Sequence, residues 1–151
     1  MSAVDAELTE QASLALAAAR RGDEDGAMLH ASTNLAEVVM LLFSQCSAMV
    51  AALGNGGATP VKVQVFDSDG AEVSIDQADP PVRTAVRTLL AEVHGNSDDA
   101  REQVQIALQQ AAPEEVASLV LQALRWTIRL ASECMERGLP LPTWVTDAMG
   151  S

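Results

Sequence analysis

From Leu35 to Leu53 the chain reads LAEVVMLLFSQCSAMVAAL, with apolar or small residues at nearly every helical angle and a single charge, Glu37. A surface helix shows a polar face, so a stretch without one is expected to be enclosed by the rest of the chain, by a second copy or by lipid. Lipid is the weakest of the three. Ser44, Gln45, Cys46 and Ser47 meet at the middle of the stretch, and neither end carries a Lys/Arg cluster. Asn34 and Glu37 have N-cap and N3 spacing and Gly54 follows the last apolar residue. That is the punctuation of a buried helix in a water-soluble protein.

Other helical periods flank this one. Val4, Leu8, Ala12, Ala15 and Ala19 predict a helix over 3–20, stopped at Arg20-Arg21-Gly22, and a short helix around 26–32 follows. Asp79-Pro80-Pro81 opens a helix whose stripe is Val82, Ala85, Val86, Leu89, Leu90 and Val93, ending at His94-Gly95. Further helices are expected at about 98–111 and from Pro113 to about 137. The last is apolar over most of its circumference, with Gln122, Arg125, Arg129, Glu133 and Glu136 on one strip. The closing LPLPTWVTDAMGS is read as too rich in proline for a helix before its final residues.

The period changes to two between the helices. Val61, Val63 and Val65 alternate with Lys62 and Gln64, a DSDG turn follows, and Val73 and Ile75 alternate with Glu72 and Ser74. This predicts an antiparallel β-hairpin over 61–66 and 71–76, its valine face covered by the stripe of 82–93 or by a second subunit. The expected fold is mainly α: a helical bundle of about five to six helices with one inserted β-hairpin at about 61–76. Residues 1–138 form one domain and 139–151 a Pro-rich tail. An internal echo supports two helical units. A helix, an acidic Gly-Asp or Gly-Asn turn, a shorter helix and a long apolar helix run over 3–53 and again over 82–137. Glu37-Val38 and Leu41 match Glu115-Val116 and Leu119.

Composition narrows the function. With 48% hydrophobic but only 3% aromatic residues, the core is built from Leu, Val, Met and Ala. A net charge of −12 opposes direct binding to nucleic acid or anionic membrane, because phosphate recognition needs clustered Lys and Arg. A protein with a basic surface is compatible with that charge. Cys46 and Cys134 both lie within apolar helical patterns, and MSAVDAELTE lacks the basic and apolar regions of a secretory signal, so reduced thiols and a cytoplasmic location are expected.

The sequence carries little that reads as chemistry. No phosphate loop, dinucleotide glycine signature, zinc-ligand spacing or nucleophile elbow is present. His30 has no second ligand at helical spacing, and the Asp-x-Asp-Gly run puts Val65 where a calcium loop needs its first ligand. No cofactor, metal or catalytic residue is expected. The leading expectation is a non-catalytic interaction or regulatory protein, homodimeric and acting on a macromolecular partner. The alternative is a helical binding protein for an apolar small molecule; an enzyme ranks below both. Asp67, Asp69, Glu72, Asp76 and Trp144 are the candidate partner-binding residues. Met40, Phe43, Ser44, Ser47, Ala51, Leu121 and Trp126 are the candidate dimer or pocket surface.

Overall fold

The computed structural model describes residues 3–54, 65–66, 71–74 and 79–150, and among them the fold is a bundle of seven helices. These are α1 (Ala3–Arg20), α2 (Glu24–Ser32), α3 (Leu35–Leu53), α4 (Pro80–Val93), α5 (Ser97–Gln110), α6 (Pro113–Glu136) and α7 (Thr143–Met149).

The expected β-hairpin is not an element of this fold. Extended pairing among the described residues is confined to two residues on each side, β1 (Val65–Phe66) against β2 (Glu72–Val73), with Val65 opposite Val73. Two rungs do not make a stable ribbon in water. Ala71, Glu72 and Ser74 are exposed. The remainder of 61–76 lies outside the described residues. Alternating valines report a pleated, half-buried surface only when something covers one face, and among the described residues the core is assembled from helices.

Helix α3 begins and ends where its apolar run does, but its ends are built differently from the expected caps. Asn34 occupies the N-cap position without a side-chain cap; its Nδ2 donates instead to Gln11 Oε1 of α1 at 2.9 Å. Glu37 turns to Arg101 of α5, Nη1 to Oε1 at 2.8 Å. Bulk is sorted around the helix. Val38, Val39, Met40, Leu42, Phe43, Cys46 and Met49 are buried, while Ser44, Ala48, Ala51 and Ala52 are exposed. Large side chains gain most from leaving water, so the core takes them and leaves the small ones outside.

The bundle repeats itself. Helix α1 packs on α2 as α4 packs on α5, and the long third helix of each unit, α3 or α6, crosses the first helix of the other. Both first helices end in the same way. The Asp23 N–H donates to Ala18 O at 2.9 Å and the Gly22 N–H to Ala19 O at 3.0 Å; Asn96 to Ala91 O at 2.8 Å and Gly95 to Glu92 O at 3.0 Å reproduce the pair. Gly22 and Gly95 accept φ of 83° and 79° there, which a side chain would resist. Buried positions follow suit: Ala12 and Leu16 in α1 correspond to Ala85 and Leu89 in α4, and Ala27 and Ala31 in α2 to Ala100 and Val104 in α5. The units differ in the second helix, 9 residues in α2 and 14 in α5, and in the third, 19 in α3 and 24 in α6.

The C-terminal segment forms α7, which lies on α1 with Val145, Ala148 and Met149 buried. Proline does not prevent this helix, because Pro142 stands just outside it and supplies only its carbonyl, accepting from the Val145 and Thr146 N–H groups at 3.0 and 3.1 Å. Trp144 is half-buried against the core.

Candidate functional site

Two surfaces and one interior contact can be built from the described residues. The interior contact lies where α3 and α6 pack. Thr127 is fully buried, and its hydroxyl donates to Ala123 O one turn back at 2.7 Å. That uses the only hydroxyl proton, so at 3.3 Å from Thr127 Oγ1 the Cys46 thiol is the donor. Burial pushes the Cys46 thiol up to about 12, with the Thr127 contact opposing the shift only weakly. Cys134 is also buried and its thiol is raised, again first by burial. Both cysteines are free, and burial opposes the ionisation of each thiol.

Met40, Phe43, Leu121 and Trp126, the candidate pocket residues, belong to this same packed layer. Phe43 is fully buried and meets Trp126 edge to face, ring centroids 6.3 Å apart at 74°. Met40 is buried, and Leu121 and Trp126 are partly buried against the core. Edge-to-face contact is a preferred packing of two aromatic rings and fills the space between them.

The first surface is the outer strip of α3. Ser44, Ala48, Ala51 and Ala52 are exposed and Ser47 is half-buried beside them. Among the described residues α3 is the one helix long and apolar enough to cross a membrane, and 39% of its apolar window is buried within the protomer. Of the acidic partner-binding candidates, Glu72 is exposed, whereas Asp67, Asp69 and Asp76 lie outside the described residues.

The second surface is a cleft of about 220 Å³ where the start of α4, the end of α5 and the start of α6 converge. Pro80, Pro81 and Thr84 form one wall and Ile106, Ala107 and Gln110 the opposite one, with Ala111, Glu115, Val116 and Leu119 closing the end. Ile106 is 43% exposed. Glu115 is the one charged group among these lining residues. In the sequence Glu115, Val116 and Leu119 stand out only as echoes of the first unit. The signal that marks the cleft is the longer second helix of the second unit, which appears only once the two units are aligned on their glycine turns.

Comparison with family models, curated proteins and solved structures returned no match to the chain.

Proposed function

We propose that this is a non-catalytic interaction protein that assembles as a homodimer through the outer strip of α3. The observation that carries the reading is the mismatch between the composition and the burial of α3: of the residues in its apolar window, 39% are fully buried within the protomer. A second copy offers an identical strip, and a two-fold axis brings such strips together face to face. Ser44, Ala48 and Ala51 allow close backbone approach, which large side chains would prevent. The buried, protonated thiols accord with a reducing, cytoplasmic setting.

The test is sedimentation equilibrium on the full chain at micromolar concentration, with Ala48→Glu as the disruptive variant. A dimer is expected for the parent and a monomer of unchanged helicity and thermal midpoint for the variant, since residue 48 is exposed within the protomer. A parent that is monomeric, or that floats with lipid vesicles, overturns the reading.

A further inference from the structure

The cleft gains meaning from its counterpart in the first unit. There, the start of α3 is latched to α1 by the Asn34–Gln11 hydrogen bond at 2.9 Å. By the repeat, Gln11 corresponds to Thr84, and Asn34, the N-cap residue of α3, to Ala112, the N-cap residue of α6. Threonine and alanine are too short to restore the latch. The additional turn of α5 brings Ile106, Ala107 and Gln110 to the gap, so the junction that a hydrogen bond latches in one unit is lined as a cleft in the other.

The same comparison shows what is missing from the cleft. Glu37, the counterpart of Glu115, is paired with Arg101 of the opposite unit at 2.8 Å. The position of α2 that corresponds to Arg101 is Met28, which brings no charge. Among the described residues the Glu115 side chain has no hydrogen bond or ion pair, and the cleft lining includes no basic residue. The cleft is therefore an apolar recess with one carboxylate at its edge, in a protein of net charge −12. Its volume falls below the ~300–1,000 Å³ typical of small-molecule sites, and suits a single bulky side chain.

We propose that this cleft is the anchor site for a protein partner, receiving one bulky apolar side chain flanked by an arginine or lysine that pairs with Glu115. The proposal builds on the interaction-protein reading but not on the homodimer. Apolar anchors seated in recesses carry much of the energy of protein interfaces, and the flanking cation supplies to Glu115 what Arg101 supplies to Glu37.

The test titrates isotope-labelled full-length protein with the synthetic pentapeptide Gly-Arg-Phe-Arg-Gly, followed by amide chemical shifts. Shifts are expected at Thr84, Ile106 and Ala107, and they should be about tenfold weaker in affinity for Gly-Arg-Gly-Arg-Gly, which keeps the charge and lacks the anchor. Ala107→Leu fills the recess at constant charge and should abolish binding while circular dichroism stays native. Glu115→Gln should weaken binding several-fold more than Glu102→Gln, a charge-matched change at an exposed site on α5. Equal binding of both peptides, or equal effects of the two Glu→Gln variants, overturns the proposal, because either result leaves only diffuse attraction to an acidic protein. Conversion of a dimer to a monomer by Ala107→Leu also overturns it, since the occupant would then be a second copy; loss of dimer by Ala48→Glu alone leaves it standing.

Discussion

At the scale of single residues, the Cys46–Thr127 pair shows how a buried polar group is made harmless. Thr127 returns its proton to its own helix and accepts the thiol, so neither side chain is left unsatisfied in the core. The cost appears in the pH dependence. The folded thiol ionises at about 12 against an ordinary 9.0, so the folded state disfavours the thiolate. Stability from this group is complete below pH 9.0 and is lost as pH rises from there toward 12, at up to about 1.4 kcal/mol per pH unit. With no tyrosine and one lysine in the chain, cysteine ionisation dominates that window, Cys134 adding in the same direction. Urea denaturation at several alkaline pH values should therefore give a shallower loss for Cys46→Ser than for the parent. Parallel slopes would show that the thiol is not desolvated as the structure has it.

At the scale of elements, glycine placement decides the sign of two substitutions. Gly95 sits at φ 79° in the turn ending α4, and a Cβ there would meet nothing within 4 Å. Gly95→Ala is thus a purely conformational penalty, expected to cost about 1 kcal/mol in chemical denaturation, and Gly95→Asn less. Gly26 lies inside α2, where alanine ordinarily stabilises by up to about 1 kcal/mol. Here the new Cβ runs into the carboxylate of Asp23, whose Oδ1 accepts the Gly26 N–H at 2.9 Å as the cap of α2. Losing that cap costs about as much as the helix gains, so Gly26→Ala should give no stabilisation. A clear gain in thermal midpoint would mean that the cap contributes little. These turns are also where the sequence was most legible: Gly22 and Gly95 each close a helix, and Pro80 and Pro113 each open one. The readings that failed rested on side-chain alternation or on proline alone. Val65 and Val73 pair over two rungs only, short of the ribbon that the alternation predicts, and Pro142 stands just before a helix rather than forbidding one. The cleft was beyond reach for a different reason. It arises from the length of α5 relative to α2 and from what Thr84 and Ala112 no longer hold together, and a difference between two units has no local signature.

At the scale of the whole molecule, the net charge of −12 acts oppositely on the two proposed contacts. A homodimer through α3 brings two equally acidic bodies together over a strip that contributes small, uncharged side chains, so long-range repulsion opposes an attraction that salt does not weaken. The anchor contact pairs Glu115 with an incoming cation, where the same field favours approach. Screening reaches about 10 Å at 0.1 M salt and shortens as salt rises, which relieves the first and weakens the second. Raising sodium chloride from about 0.05 M to about 0.5 M should therefore tighten self-association in sedimentation, and loosen Gly-Arg-Phe-Arg-Gly in titration. Glu37 and Arg101 form an internal control, because their pair is 50% and 43% exposed and should add less than about 1 kcal/mol at any of these salt concentrations. If added salt weakened the dimer, charged groups outside the α3 strip would have to hold it together, and α3 would not be the interface.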